Sequence, residues 1–266
     1  TPAGEHRAPG VHGHWGHFFP DYRTFSYREY GNRVGFSRLL ACLDRHAMPV
    51  TVAANSAAIA RYPALVDECL RRGWEIVPHG THATRMITSA MSAEQERGVI
   101  AEAVASVRAA TGSAPQGWIG QDGNESFRTP GLIAEAGLRW LSDWPNDEQP
   151  YWMTVEPPIV SIPQQQEWDD VQMLWMRQLA MPRYVAAIAE ALEVLAEDGR
   201  RNARTLCLGV HPWLLGQPHR IRYLDDVLAR LASSPDVWMT TGSGIADAYA
   251  GVIPPPAAQS ARGAAT

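Results

Sequence analysis

The sequence predicts an α/β fold built on parallel strands, and three observations carry that prediction. Seven short apolar runs read as β-strands, at 48–55, 74–79, 116–121, 138–143, 158–164, 205–211 and 236–241. Helix-length amphipathic stretches lie between most of them, and a parallel return needs such a crossover. Most of the runs also end on a polar residue able to do chemistry. In folds of this kind the carboxyl ends of the strands gather at one face, where substrates bind. Asn55, His79, Gln121, Asp143, Gln164 and His211 are therefore expected to line a single pocket.

The elements follow in order. Residues 1–22 are rich in Pro, Gly and His, have no period and read as an N-terminal arm. Periodicity predicts a helix over 34–46, with Val34, Leu39, Leu40 and Leu43 on one side. The β-branched run 48–55 comes next, then a helix over 63–72 with Gly73 just past its end. After the run 74–79, Ser92-Ala-Glu-Gln95 is a capping-box signature opening a helix to Ala110, which Gly112 closes. Beyond 116–121, Thr129-Pro-Gly starts a short helix to Ala136, with Gly137 as its stop. The runs 138–143 and 158–164 lead to a helix over 182–198, stopped by Gly199. The run 205–211, a helix over 224–232 and the run 236–241 complete one domain, taken as 23–250. Residues 251–266, with Pro, Ala and small polar residues, read as a flexible tail.

A length of 266 residues suits one α/β barrel or one large open sheet. Apolar residues at 45% supply a large core, and charged residues at 19% fit a compact enzyme better than a disordered regulator. A net charge of −5 leaves no basic footprint, so nucleic acid is not an expected partner. No apolar stretch is long enough to span a membrane, and no apolar leader is present. Cys42, Cys69 and Cys207 are scattered, read as core thiols, and fit a reducing cytoplasm. Ten tryptophans imply either dense packing or a ring-lined pocket. Trp144 and Trp213, each beside a strand end, are the candidates for such a pocket.

Several constellations could carry chemistry. His79 precedes Gly80, where the chain must turn, and His82 comes three residues later. As metal ligands His79 and His82 need another donor; as acid/base groups they need none, and as structural histidines they would bond backbone. Glu75 lies four residues before His79, on the same strand face. His211 ends another buried run and is the expected general acid. Pro218 in the first turn of the next helix would leave amides free for an oxyanion, with His219 at that helix start. Asp143 could orient a histidine or bind metal. In the segment 161–170, Gln164 and Glu167 are the favoured members, while Asp169 and Asp170 read as loop charge. His12, His14 and His17 form a histidine-rich tract that either binds metal or is incidental. With no GxGxxG, Walker loop, GxSxG elbow or HExxH, water is the expected nucleophile.

Taken together, several segments resemble the polysaccharide deacetylase (NodB-homology) superfamily, more closely its allantoinase-like and cyclic-imide-hydrolase-like branch. They are Tyr27-Arg-Glu-Tyr-Gly-Asn-Arg-Val-Gly-Phe36, Trp74-Glu-Ile-Val-Pro-His-Gly80, Glu96-Arg97, Gly117-Trp-Ile-Gly120, Arg128-Thr-Pro130, Ser142 to Pro150 and His211 to Arg220. The resemblance implies a distorted (β/α) barrel of seven or eight strands that hydrolyses carbon–nitrogen bonds other than peptide bonds. It implies a small-molecule amide or imide as substrate and, for tight barrels, a homo-oligomer. Zinc-dependent members carry a second histidine four residues after the first. That position is Ala83 here, with His82 one residue early, so the implied cofactor is either none or one divalent zinc. The family's first strand, with its acid, is expected before Thr1 and is absent from this chain. The alternatives are a zinc-dependent N-deacetylase of an acetylated sugar and an inactive ligand-binding member.

Overall fold

A computed structural model describes residues 22–256, without the side chains of Arg23 and Thr24. The arm's histidines and the end of the tail lie outside the described residues. Helix α1 (Tyr22–Tyr30) runs through a π-helical turn, Gly31–Gly35, into α2 (Phe36–Arg45). Then come β1 (Thr51–Ala54), α3 (Ser56–Arg61), α4 (Pro63–Arg71), β2 (Glu75–Pro78) and α5 (Ala93–Thr111). β3 (Gly117–Trp118), α6 (Thr129–Glu135), β4 (Trp140–Leu141), β5 (Tyr151–Trp152) and β6 (Val160–Ser161) follow. The chain closes with α7 (Met181–Gly199), α8 (Ile221–Ser233) and α9 (Gly242–Val252).

The local signals explain most boundaries. Ser92 and Gln95 exchange side-chain-to-backbone hydrogen bonds, completing the capping box of α5. Gly112 ends that helix with a left-handed backbone, φ 74°, where a side chain would be strained. β1 and β2 pair in parallel, and β3, β4 and β6 form a second parallel ladder with β5 antiparallel at its edge. One bond, Ile119 N–H to Pro78 C=O at 3.3 Å, bridges the two ladders. Leu39, Leu43, Ile76, Ile188 and Leu224 pack in the larger core cluster, and Trp118, Ile133 and Leu141 in the second. Trp118 and Trp140 are almost wholly buried, so these two of the ten indoles serve packing.

Two expected strands form no ladder. Over 205–211 the hydrogen bonds go to side chains and loops instead: Cys207 N–H donates to Gln165 Oε1 at 2.9 Å. Thr205 N–H donates to Glu148 C=O at 2.8 Å, and Gly209 C=O accepts from Asp170 N–H at 3.1 Å. The run 236–241 likewise carries no ladder. Helix α8 begins at Ile221, so Pro218 lies in the turns before it rather than in its first turn.

The π-helical turn positions the later chemistry. A Cβ on Gly31 would stand 2.7 Å from Trp213 Cβ and the Trp213 backbone nitrogen, and one on Gly35 would stand 2.1 Å from Pro212 C=O. Both glycines are therefore required for the 212–216 backbone to lie against the helix. Arg38 adds a clamp, donating to Gly216 C=O at 3.0 Å and to Tyr30 Oη at 2.5 Å. Gly35→Ala is expected to lower stability by about 1–3 kcal/mol through overpacking. Gly98→Ala, with open space around the new methyl in α5, is expected to be neutral or stabilising by up to about 1 kcal/mol. Denaturant unfolding of both variants checks this, and equal midpoints would overturn it.

Candidate active site

His79 and His211 lie close enough for the charge of one to act on the other. His79 directly follows β2, and its Nδ1 lies 2.8 Å from Ile119 C=O, which directly follows β3. A carbonyl can only accept, so Nδ1 carries the proton and Nε2 keeps its lone pair. Burial holds the His79 pKa below the ordinary histidine value, and the nearby charge of His211 lowers it further. Ile119 C=O and Asp122 oppose that shift without reversing it. Asp122 stands on the 3-10 turn Gln121–Gly123 with a left-handed backbone, φ 54°.

His211 is tied down by Asp170, whose carboxylate is fully buried. Asp170 Oδ1 accepts from His211 Nδ1 at 2.6 Å, and Oδ2 accepts from the His211 backbone N–H at 2.8 Å. Burial alone would disfavour the imidazolium. The charge and hydrogen bond of Asp170, with the charge of Asp169, outweigh it and raise the His211 pKa to about 9. The ring remains 38% exposed. Asp169 Oδ1 accepts from the N–H groups of Val171 and Gln172 at 2.9 and 3.1 Å, fixing the start of the π-helical turn Val171–Met176.

An aromatic wall backs this dyad. Trp213, buried, meets the rings of Tyr27, Trp175 and His211 edge-on at 5.5, 5.4 and 6.3 Å. The Arg28 guanidinium lies 4.4 Å from the Trp213 ring centroid, close enough for its charge to act on His211. Asp143 is buried past the end of β4, where Oδ1 accepts from Gly120 N–H at 2.5 Å. Its Oδ2 and Glu125 Oε1 are buried without an N–H or O–H donor, Glu125 acts on the Asp143 carboxyl, and Glu125 Oε2 accepts from Trp144 Nε1 at 2.9 Å.

The remaining expected residues divide. Gln121 is buried, with no partner for Oε1, and Gln164 Oε1 accepts from Ser142 Oγ at 3.1 Å and Cys207 Sγ at 3.2 Å. Asn55 caps α3, accepting from Ala58 N–H at 3.0 Å. His82 Nδ1 lies 3.1 Å from Thr81 Oγ1. Glu75 sits at the amino end of β2, bonded to Thr51 at 2.8 Å and to Ser243. Four residues of strand span about 13 Å, so Glu75 braces α9 rather than joining His79. Glu167 is exposed and pairs with Arg177, and His219 is exposed. Burial pushes all three thiols up to about 11, so none is an activated nucleophile. Asp170, Glu125, Asp122 and Arg28 escaped the sequence reading. Arg28 lies within a quoted segment, whereas Glu125 gives no local signal.

A zinc centre of the deacetylase type does not fit these residues. Among the described residues, the metal-competent group is Asp169, Asp170 and His211, with ligand atoms within 4.8 Å of one another. Asp170 already gives both oxygens to His211, and Asp169 Oδ1 accepts two backbone N–H groups. Ala83 offers no donor at the position of the second zinc histidine, and no third donor joins His79 and His82 among the described residues.

Comparison with known proteins identifies the family. A family model described as polysaccharide deacetylase matches residues 24–141. A Schizosaccharomyces pombe protein provisionally named polysaccharide deacetylase is 30% identical over 251 residues, 85% of this chain and 76% of its own. A solved structure from Pseudomonas aeruginosa PAO1, provisionally named for the same family, is 29% identical with a TM-score of 0.80, covering 86% of this chain and 77% of that one. The structure of PuuE allantoinase is 26% identical with a TM-score of 0.82, covering 89% of this chain and 78% of that one. No helix among the described residues is long and apolar enough to cross a membrane. The chain belongs to the polysaccharide deacetylase family of hydrolases, within the NodB-homology superfamily and beside its allantoinase-like branch.

Proposed function

We propose that this protein hydrolyses a carbon–nitrogen bond in a small linear or cyclic amide or imide, at the carboxyl ends of a distorted barrel. One observation carries the reading: His79 Nδ1 is tied to a peptide carbonyl and His211 Nδ1 to a buried carboxylate, which holds His79 below the ordinary histidine value and raises His211 to about 9. Such a split assigns base and acid at neutral pH. His79 Nε2 takes a proton from water, and the resulting hydroxide attacks the carbonyl carbon. Arg28, held over the Trp213 ring beside His211, is the cation assigned here to the developing oxyanion. His211 Nε2 gives its proton to the leaving nitrogen as the carbon–nitrogen bond breaks. Proton exchange with solvent then restores both rings. The likeness to an allantoinase favours ring amides and ureides over acetylated polysaccharide. Association into a homo-oligomer belongs to the same proposal.

His211→Ala and His79→Gln are each expected to lower kcat about 10²-fold or more on a panel of cyclic imides, ureides and acetamides. Circular dichroism checks that both fold, and near-normal turnover in either would sink the reading. For the parent enzyme, kcat/KM should fall as pH rises through about 9, where His211 loses its proton. It should also fall in acid below the ordinary histidine range, where His79 gains one. Activity is expected to survive exhaustive chelation, and loss restored by stoichiometric zinc would favour the N-deacetylase alternative.

Asp170→Asn gives a stability test. The His211 pKa is raised on folding, so its contribution is fully present below the unfolded value near 6.5 and is lost as pH rises through about 9. The variant should lose about 1–2 kcal/mol at neutral pH, a figure reduced for the ring's exposure. It should also lose the slope of stability between those pH values. An unchanged slope would contradict the assignment.

A further inference from the structure

The peptide unit joining Ile119 to Gly120 is held on both sides. Its carbonyl accepts from His79 Nδ1 at 2.8 Å, and its N–H donates to Asp143 Oδ1 at 2.5 Å. Asp143 Oδ2 and Glu125 Oε1 are both buried and find no N–H or O–H donor, and each carboxyl acts on the other. Two bare carboxylates cannot sit together in a buried site, whereas a carboxylic acid donating to a carboxylate can. Gly120 makes the approach possible, because a Cβ there would stand 2.7 Å from Asp143 Oδ2.

We propose that Asp143 and Glu125 share one proton, and that this pair acts through the Ile119–Gly120 peptide to position His79. The role rests on His79 being the base proposed above; the shared proton does not. The groups around the pair favour a single proton. Trp144 Nε1–H donates to Glu125, and Glu96 of α5 adds negative charge near it. The nearest arginine of that loop, Arg128, is directed to Glu96 at 3.2 Å, as is Ser126 Oγ at 2.7 Å. On the other side of the peptide, His79 faces Asp122 and His211. Burial and the Glu125 carboxylate raise Asp143, while the indole N–H of Trp144 favours the charged form of Glu125, which puts the proton on Asp143 in this proposal. A neutral Asp143 anchors Gly120 without placing an anion behind the peptide, where it would polarise Ile119 C=O and favour a protonated His79. His79 is thereby held with Nδ1 protonated and Nε2 free.

Infrared difference spectroscopy and ¹⁵N NMR on the full chain near pH 7 test this without any turnover. A neutral carboxyl stretch is expected in the parent protein and should vanish in both Asp143→Asn and Glu125→Gln. His79 should be the Nδ1–H tautomer in the parent and in Asp143→Asn, whose amide supplies the donor that the proton supplies. Asp143→Val should give mixed tautomers and lower kcat about 10²-fold with little change in KM, while Asp143→Asn stays near the parent rate. Absence of the carboxyl band would overturn the shared proton. An unmoved tautomer in Asp143→Val, or equal losses in the Asn and Val variants, would overturn the positioning role. Inactivity of the parent on every amide would instead count against the hydrolase reading alone.

Discussion

The bond between Asp170 and His211 is the constraint on which the site turns. A wholly buried carboxylate gives one oxygen to the ring and the other to the backbone of the same residue. That double hold fixes both where the imidazole is and which way it faces. An unpaired charge at this depth would cost several kcal/mol, so the loop bearing His211 and the turn bearing Asp170 depend on each other. The glycine pair at 31 and 35 completes the arrangement, since only a bare backbone lets residues 212–216 lie against α1 and α2. The segment Tyr27–Phe36 is thus tied to the site by packing as well as by Arg28.

Much of the architecture was legible in the chain because it rests on local chemistry. The capping box at Ser92, the glycine stops at 73, 112 and 137, and five of the seven strand runs all act within a few residues of themselves. The runs 205–211 and 236–241 have the right composition, yet side chains such as Gln165 occupy the place of a neighbouring strand. Apolar periodicity reports burial, and burial does not require a ladder. Helix α3, six residues long, gave too little period to be seen, and α9, where Gly and Ala fill six of eleven positions, shows no clear apolar stripe.

Legibility of the site followed a similar rule. His79 and Asp143 could be picked out because they follow β2 and β4, and His211 because it ends an apolar run, although that run forms no ladder. Their partners could not. Asp170 looked like loop charge because its meaning comes from a residue 41 positions away. Glu125 has no sequence context linking it to Asp143, and Arg28 is defined by the Trp213 face it covers. Glu75 misled for the opposite reason. Strand alternation places it correctly on the face of His79, but face says nothing of which end of the strand a side chain serves.

Both histidines are held by the same device, with Nδ1 tied to an oxygen and Nε2 left for chemistry, yet they are prepared for opposite tasks. The difference lies in the acceptor. A peptide carbonyl orients the His79 ring and adds too little charge to overcome burial, so the ring stays neutral and can receive a proton. A carboxylate orients the His211 ring just as firmly and adds a full charge, which exceeds the cost of burial and keeps the ring protonated. Exchanging the acceptors would keep both Nδ1 positions tied to an oxygen and reverse which ring is held neutral. In the proposed reaction, acid and base are therefore set by what stands behind each ring, Ile119 C=O for His79 and Asp170 for His211.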